Sequence, residues 1–347
     1  MHHITYGRRT GLRVSEYALG TANFGTGPGA AAPPEEARAI FEAFAEAGGT
    51  FIDTADRYQN GQSEAVLSGL LAGDRDRFVL STKYTRGSGG NTGISENGNG
   101  RKTMIRSVEA SLKRLGTDYV DVYWAHLPDA VTPVEEIVAA FDDLVRAGKI
   151  LHGGLSNFPA WRVATAVTLA ELRSQAPIIG IQVEYNLADR TAERELLPMA
   201  EAFGLGAALY APLAGGLLTG KYRQHADGGR RPGVRTEGQH TGTVLDTVLD
   251  VADECGVNAA QISMAWLRSR AARSATALIP VIGPRTTAQL GDYLATLHFT
   301  LTEQQYDRLD QVSAAPLGAP HEAVAAALPS IFGGDSGLMR SHPVPVI

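Results

Sequence analysis

The chain has 347 residues and a formal net charge of −6, with 44% hydrophobic and 20% charged residues. This composition is typical of a globular protein, and Lys and Arg form no cluster of the kind that nucleic-acid binding needs. The single cysteine, Cys255, excludes an intramolecular disulfide and a thiolate metal cluster. We see no signal-peptide pattern, and no apolar run approaches the ~20 residues of a membrane span. We therefore expect a cytoplasmic protein that binds neither membranes nor nucleic acids.

Short apolar runs alternate with amphipathic stretches of helical length along most of the chain. A short apolar run predicts a buried strand, and apolar residues spaced by three and four predict a helix with one buried face. Thr132 is expected to cap a helix that opens at Pro133. The predicted strands span residues 17–20, 51–53, 78–82, 119–125, 150–155, 178–183, 206–210 and 277–282, and the clearest helices span 34–47, 102–115, 132–147, 160–172, 192–203 and 259–270.

Eight strand–helix units in succession predict an α/β fold, a (β/α)8 TIM barrel, in preference to an open doubly wound sheet. We expect a single domain over residues 1–347, with the barrel at about 15–300 and a C-terminal helix and tail at 301–347. Residues 4–14 are typical of a β-hairpin that could close the bottom of the barrel. Two long loops, 85–101 and 214–243, follow strands, which places them at the C-terminal face, where barrel active sites lie.

Polar side chains stand where the second, third and fourth predicted strands end, and these ends converge on one mouth of a barrel. They are Asp53 and Tyr58, then Lys83, then His126. A Tyr hydroxyl has an ordinary pKa of about 10, and a nearby ammonium lowers that pKa by stabilising the phenolate. A carboxylate would hold the ammonium, and an imidazole can donate to a carbonyl oxygen. Each residue alone is more often a cap, a core residue or a surface residue, but together they predict a proton-transfer site.

Residues 49–64, with Asp53-Thr54-Ala55, Tyr58 and Ser63-Glu64, resemble the signature of the aldo-keto reductase superfamily. The resemblance extends in order from about residue 4 to 315, and it is strongest to the bacterial branch near the aryl-alcohol dehydrogenases and the potassium-channel β subunits. The chain departs from the family at Tyr293, where Asn is frequent. The other matching motifs are Gly20-Thr21-Ala22-Asn23-Phe24-Gly25, Thr82-Lys83, Gly154-Leu155-Ser156-Asn157, Gln182 with Tyr185-Asn186, Tyr210-Ala211-Pro212-Leu213, Gly220-Lys221-Tyr222, and Pro280-Val281-Ile282-Gly283-Pro284-Arg285 with Gln289-Leu290.

The resemblance implies an NADP(H)-dependent oxidoreductase that acts on carbonyl and alcohol groups. Hydride would pass from the nicotinamide C4 and the proton from Tyr58, which Lys83 and Asp53 would tune, while His126 would position the substrate. The catalytic residues implied are thus Asp53, Tyr58, Lys83 and His126. The residues implied for cofactor binding are Gly20, Thr21, Ala22, Asp53, Ser156, Asn157, Gln182, Tyr210, Pro212, Leu213, Gly215, Leu217, Lys221, Gly283, Arg285 and Gln289.

Within this set, the resemblance implies that Ser156, Asn157 and Gln182 hold the carboxamide and that Tyr210 stacks on the nicotinamide ring. The loop at 212–221 would cover the pyrophosphate, and Arg285 would meet the adenosine 2′-phosphate at the start of a helix whose N–H groups favour anions. No Rossmann glycine fingerprint follows a strand, so the cofactor would have to bind by the barrel route. The pair His321-Glu322 lacks the second His of a zinc helix, and we expect no metal site.

The leading prediction is therefore the reversible, NADPH-dependent reduction of aldehydes or ketones, with aromatic or small aliphatic aldehydes as default substrates. One alternative is a keto-sugar or deoxysugar reductase, because the Gly- and Asn-rich loop at 85–101 could bind hydroxyl groups and shape the substrate pocket. Another is a non-catalytic nicotinamide-binding sensor subunit, which need not keep the four catalytic residues. A third, a barrel with lyase or hydrolase chemistry, would not need Lys221 and Arg285 to face a phosphate.

Overall fold

A computed structural model describes residues 1–27, 31–89, 93–224, 237–335 and 337. The strands are β1 His3–Thr5, β2 Arg13–Ser15, β3 Ala18–Gly20, β4 Phe51–Asp53, β5 Val79–Tyr84, β6 Val120–Ala125, β7 Ile150–Ser156, β8 Ile178–Glu184, β9 Gly206–Tyr210 and β10 Leu278–Ile282. β1 and β2 form an antiparallel hairpin, and β3 to β10 form a closed barrel of eight parallel strands in which β10 pairs with both β9 and β3. The predicted (β/α)8 barrel is confirmed, and the open sheet is excluded because the last strand returns to the first.

Helices follow the barrel strands and cover the outside of the barrel. They are α1 Pro34–Glu46, α2 Gln62–Leu71, α3 Arg101–Leu115, α4 Val134–Arg146, α5 Ala160–Leu172, α6 Leu196–Phe203, α7 Lys221–Gln224, α8 Gln239–Cys255, α9 Ala259–Ala272, α10 Thr287–Ala295, α11 Glu303–Ser313 and α12 His321–Ile331. The helix predicted at 192–203 starts only at Leu196, since a separate 3₁₀ turn, Thr191–Arg194, precedes it. The loop predicted at 214–243 contains α7 and the start of α8, and its residues 225–236 lie outside the described part of the chain.

Helix α4 shows how the sequence pattern produces the packing. Its buried residues Val134, Ile137, Phe141 and Leu144 recur at spacings of three and four, so they form one stripe that faces the barrel. The predicted cap is wrong: the N-cap position is Pro133, without a side-chain hydrogen bond. Both the hydroxyl and the backbone N–H of Thr132 donate instead to the carboxylate of Asp129, at 2.6 and 2.9 Å.

The N-terminal hairpin closes the amino end of the barrel, as predicted. Tyr6, which directly follows β1, is fully buried and meets Phe51 and Trp124 edge-on, at ring-centroid distances of 5.8 and 6.4 Å. Gly180 and Gly206 make room for this ring, since a Cβ at either position would lie 2.5–2.8 Å from it. Because the amino ends of the strands are filled in this way, the space for a ligand lies at their carboxyl ends.

The segment after the barrel adds two helices of different character. α11 packs against α8 and buries Tyr306 and Leu309, whereas α12 has no buried residue. None of the helices in the described ranges is long and apolar enough to cross a membrane.

Candidate active site

The buried ion pair between Asp53 and Lys83 lies at the centre of the site. Asp53 is the last residue of β4, pairs in register with Ser81 of β5, and is 2% exposed. One carboxylate oxygen accepts a hydrogen bond from Lys83 Nζ at 2.6 Å. The other accepts from the Ser81 hydroxyl at 2.7 Å and from the Gln182 amide at 2.9 Å. Three neighbouring groups therefore fix the carboxylate, and a buried pair needs such additional hydrogen bonds to offset its loss of hydration.

The ammonium of Lys83 uses all three of its donors. Besides Asp53, it donates to the backbone oxygen of Thr54 at 2.8 Å and to the hydroxyl of Tyr58 at 3.0 Å. Lys83 is completely buried. Burial acts to lower the pKa of Lys83, but the charges and hydrogen bonds of Asp53 and Tyr58 outweigh it and hold that pKa above its ordinary value. The lysine therefore stays protonated, with one N–H directed at Tyr58.

Tyr58 begins a 3₁₀ turn, Tyr58–Gly61, which follows β4. Gln59 and Asn60 in this turn have φ of +49° and +56°, a left-handed conformation that Asn adopts more readily than most residues. Burial raises the pKa of the Tyr58 hydroxyl, while the positive charge of Lys83 lowers it. Lys83 therefore lowers the pKa of Tyr58, as predicted. The effect of burial is larger, however, so the pKa of Tyr58 lies above its ordinary value. The phenol consequently holds its proton at neutral pH, as a proton donor must.

His126 follows β6 and stands edge-on to Tyr58, with ring centroids 6.1 Å apart. Burial, together with the positive charges of Lys83 and Arg86, lowers the pKa of His126 to about 3. The imidazole is therefore neutral at physiological pH, and a neutral imidazole can donate one hydrogen bond to an oxygen without carrying a charge. Its backbone oxygen accepts from the Asn157 side chain at 3.1 Å, which links the ends of β6 and β7.

A cavity of about 740 Å³ opens at the carboxyl ends of the barrel strands, next to Tyr58 and His126. Its volume lies within the range of ligand-binding pockets. Three residues predicted for the site do not line it: Lys83 lies beneath Tyr58, Thr21 donates to the backbone oxygen of Asp53, and Leu217 is buried behind the cavity wall. The predicted residues that do line it are Gly20, Ala22, Asp53, Tyr58, His126, Ser156, Asn157, Gln182, Tyr210, Pro212, Leu213, Gly215, Lys221, Gly283, Arg285 and Gln289.

The middle of the cavity combines an aromatic ring, a glycine turn and a cation. The hydroxyl of Tyr210 donates to Asn157 Oδ1 at 2.8 Å, which fixes the ring at the end of β9. Gly215 and Gly216 have φ of +67° and +94°, and a Cβ at Gly216 would lie 2.8 Å from Lys221 Nζ. These glycines therefore permit the turn and leave space for the ammonium group at the cavity wall.

The far end of the cavity lies at the start of α10. Arg285 is half-buried there, and its backbone N–H donates to the side chain of Gln289 at 2.9 Å. The first N–H groups of the helix are partly used, because Thr287 N donates to Glu36 at 2.6 Å and Gln289 N donates to the Thr286 hydroxyl at 3.2 Å. The predicted helix start is therefore present, but Glu36, Thr286 and Gln289 already accept hydrogen bonds from some of the N–H groups expected to bind an anion.

Several cavity residues were missed by the sequence reasoning. The N-cap residue of α9, Asn258, lines the cavity and donates to Asp292 at 2.8 Å. Its capping box with Gln261 is a sequence signal that marks the helix start but not the cavity. Tyr293, where the chain departs from the family, also lines this end. Arg86 lines the end beside Tyr58, and its position three residues after Lys83 at a strand end was the available signal.

A second buried carboxyl group lies close to Lys83. Asp56 is 2% exposed, its backbone N–H donates to the Lys83 oxygen, and its Oδ1 has no hydrogen-bond partner among the described residues. Glu64 is fully buried nearby and pairs with Arg114 at 2.7 Å. Burial, then the negative charge of Glu64, raises the pKa of Asp56 to about 7. The folded protein therefore favours the neutral form of Asp56.

This carboxyl group gives a prediction about stability and pH. Because its folded-state pKa is raised, the stabilisation from a neutral Asp56 is complete below its ordinary pKa of 3.8 and is lost as the pH rises through about 7. Asp56→Asn removes this titration. We expect the variant to gain roughly 2–3 kcal/mol of unfolding free energy relative to wild type between pH 5 and pH 8. Urea unfolding at both pH values measures the difference.

The matched control is Asp74→Asn, since the side chain of Asp74 is 64% exposed. Its unfolding free energy should follow wild type at both pH values. If the unfolding free energies of Asp56→Asn and wild type change in parallel with pH, the carboxyl group of Asp56 is not the origin of the pH dependence.

The closed barrel thus places the hydrogen-bonded chain Asp53–Lys83–Tyr58 beside a cavity of ligand size, which is the arrangement of a proton-transfer site in a barrel enzyme. The Aldo/keto reductase family model matches residues 17–314. An uncharacterized oxidoreductase of Bacillus subtilis is 35% identical over 332 residues, which cover 92% of this chain and 99% of that protein. The chain therefore belongs to the aldo/keto reductase family.

Two further relatives have more specific names. A norsolorinic acid reductase of Aspergillus flavus is 34% identical over 332 residues, which cover 92% of this chain and 83% of that protein. A putative aryl-alcohol dehydrogenase of Saccharomyces cerevisiae is 30% identical over 334 residues, which cover 91% of this chain and 88% of that protein. Family and relatives together support an oxidoreductase that acts on carbonyl groups. No group of three or more His, Cys, Asp or Glu that could hold a metal occurs within the described ranges.

Proposed function

We propose that this protein reduces aldehydes or ketones to alcohols with NADPH, reversibly, and that Tyr58 donates the proton. The observation that carries the proposal is the hydrogen-bonded chain from Asp53 through Lys83 to the Tyr58 hydroxyl, at 2.6 and 3.0 Å, on the cavity wall. A phenol held protonated by burial and joined to a fixed ammonium can release a proton and then be stabilised as phenolate.

The cavity fits a nicotinamide dinucleotide in its chemistry. Its catalytic end has the amide side chains of Asn157 and Gln182, which suit a carboxamide, and the ring of Tyr210, which suits a flat heterocycle. Further along stand two cations, Lys221 and Arg285, which suit phosphate groups. Nicotinamide bound in this way would supply hydride from its C4 to the carbonyl carbon.

The residues around Tyr58 would handle the proton and the substrate oxygen. Tyr58 transfers its hydroxyl proton to the carbonyl oxygen, and Lys83 stabilises the phenolate that results. Neutral His126 donates a hydrogen bond to the same oxygen and orients it. In the reverse direction, the Tyr58 phenolate accepts the proton of the alcohol.

The name of one relative, a putative aryl-alcohol dehydrogenase, makes aryl alcohols and the corresponding aromatic aldehydes the first substrates to test. The test is oxidation of NADPH, followed by absorbance, with a panel of aromatic aldehydes, aliphatic aldehydes, keto sugars and quinones. Turnover of aldehydes supports the proposal, and a preference for keto sugars would move the substrate class to sugars. Tight binding of NADPH without reduction of any member of the panel would instead indicate a sensor subunit.

The preference for NADPH over NADH gives a prediction at Arg285. Within the described part of the chain its guanidinium has no ion pair, and it stands at the cavity end where the helix N–H groups are partly used. Its planar fork can bind the 2′-phosphate through two hydrogen bonds. Hydrogen bonds to charged groups contribute about 1.5–3 kcal/mol, so Arg285→Ala should weaken NADPH binding roughly tenfold to a hundredfold.

Fluorescence titration of wild type and Arg285→Ala with both cofactors measures this effect. Binding of NADH, which lacks the phosphate, should barely change. Equal losses for the two cofactors would assign Arg285 a structural role, and a wild type that prefers NADH would overturn the choice of cofactor.

A further inference from the structure

Arg86 lies at the end of the cavity where the substrate would bind, and the proposed reaction gives this residue no role. It comes two residues after the end of β5 and lines the cavity together with Tyr58, His126 and Leu127. Arg86 is also exposed. An exposed arginine is ordinary by itself, but Arg86 has a fixed backbone and few opposite charges around it.

The backbone next to Arg86 is held in an unusual conformation. Thr85 has φ of +109°, which is rare for a β-branched residue and which surrounding contacts must maintain. Its hydroxyl donates to Asn99 Oδ1 at 2.6 Å, and its backbone oxygen accepts from Gly98 at 2.8 Å. Asn99 is fully buried, and its own N–H donates to Asp129 at 2.7 Å. The base of the loop is thus fastened to the next strand end, so Arg86 leaves the barrel in a defined direction.

The other charges at this end of the cavity are already balanced. Lys83 uses its donors on Asp53, Thr54 and Tyr58, and the Asp53 carboxylate is paired with Lys83. His126 is neutral at physiological pH because its pKa is about 3. No ion pair with a described carboxylate neutralises Arg86. Its positive charge lowers the pKa of both Tyr58 and His126, so the guanidinium lies within electrostatic range of both rings.

We propose that Arg86 binds an anionic group on the substrate, and that the preferred substrates are carbonyl compounds that carry a carboxylate or an equivalent oxyanion away from the reacting carbonyl. This inference rests on the proposed carbonyl reduction. A guanidinium binds a carboxylate through two parallel hydrogen bonds, and the interaction is stronger in a partly enclosed cavity than on an open surface. Tyr58 and His126 would bind the carbonyl oxygen at one end of the substrate, and Arg86 would bind the anionic group at the other end. Together these contacts would orient the substrate and select those in which the two groups are the right distance apart.

The test compares two aldehydes of nearly equal shape, 4-carboxybenzaldehyde and the neutral 4-carbamoylbenzaldehyde. We expect wild type to show a kcat/KM roughly tenfold to a hundredfold higher for the carboxylate, mainly through a lower KM. In Arg86→Gln the ratio of the two kcat/KM values should fall close to one. In Arg86→Lys it should be intermediate, because lysine keeps the charge without the planar fork. Added salt should reduce the ratio in wild type, since charges near solvent are screened.

Arg38→Gln is the matched control, because Arg38 lies on α1 outside the cavity, pairs with Glu42, and loses the same charge. It should keep the wild-type ratio. Equal kcat/KM values for the two aldehydes in wild type, or a ratio that Arg86→Gln leaves intact, would overturn the role of Arg86.

Failure of the underlying function can be distinguished from failure of this inference. If neither aldehyde is reduced, the proposed carbonyl reduction fails on that panel, and a binding measurement still tests Arg86. Calorimetric titration of 4-carboxybenzyl alcohol into protein saturated with NADP⁺ should then show at least tenfold weaker binding for Arg86→Gln than for wild type. Equal binding by the two proteins would contradict the proposal.

Discussion

Tyr58→Phe is expected to lower kcat/KM for carbonyl reduction by roughly 10²–10⁴-fold, the contribution typical of a positioned general acid. The change removes only the hydroxyl oxygen, which accepts a hydrogen bond from Lys83 at 3.0 Å. The ring can stay in place, because Lys83 Nζ lies 4.6 Å from its centroid and the ring of His126 packs against it edge-on. Steady-state oxidation of NADPH with the best aldehyde of the panel measures the loss.

Two controls separate chemistry from folding. Fluorescence titration should give nearly the same NADPH affinity for Tyr58→Phe and wild type, since the hydroxyl is assigned to the proton and not to the cofactor. Tyr306→Phe, on α11 outside the cavity, removes a hydroxyl that lies 3.4 Å from Asp310 and should keep wild-type turnover. Turnover by Tyr58→Phe within a few-fold of wild type would remove Tyr58 from its assigned role.

The barrel could be predicted because strand and helix signals repeat without interruption along the chain. The strands that end at Asp53 and just before His126 are buried on both sides, so they are mostly hydrophobic in sequence. The exception is Asp121 in the second of them, whose carboxylate pairs with Arg75.

The role of Thr132 could not be predicted in this way. Its hydroxyl donates a hydrogen bond to the carboxylate of Asp129, and that carboxylate also accepts one from the backbone N–H of Asn99 in the preceding loop. Contacts between loops have no periodic signal in a sequence.

That Asp53, Tyr58, Lys83 and His126 lie together could be predicted from strand ends, because parallel strands in a barrel bring their carboxyl ends together. Two features needed the structure. The net direction of the Tyr58 pKa depends on how deeply the hydroxyl is buried, which residue order does not reveal. The direction in which Arg86 leaves the barrel depends on Thr85, which has a positive φ and donates a hydrogen bond to Asn99, fourteen residues further along the chain.

Lys83→Met is expected to reduce turnover about as strongly as Tyr58→Phe, because the phenolate formed on proton transfer loses the ammonium that stabilises it. The single variant has a second effect, since it leaves the Asp53 carboxylate buried without a countercharge, and breaking a buried pair in this way costs about 3–5 kcal/mol of stability.

The double variant Asp53→Asn/Lys83→Met removes both charges and therefore separates the two effects. Urea unfolding should show that the double variant recovers much of the stability that Lys83→Met loses, while oxidation of NADPH should stay low in both, because both lack the ammonium next to Tyr58. Asp53→Asn alone should reduce turnover less than Lys83→Met, since Lys83 keeps its hydrogen bonds to Thr54 and Tyr58. If Lys83→Met retained turnover while Asp53→Asn abolished it, proton transfer would depend on the carboxylate, and Lys83 would not be the group that tunes Tyr58.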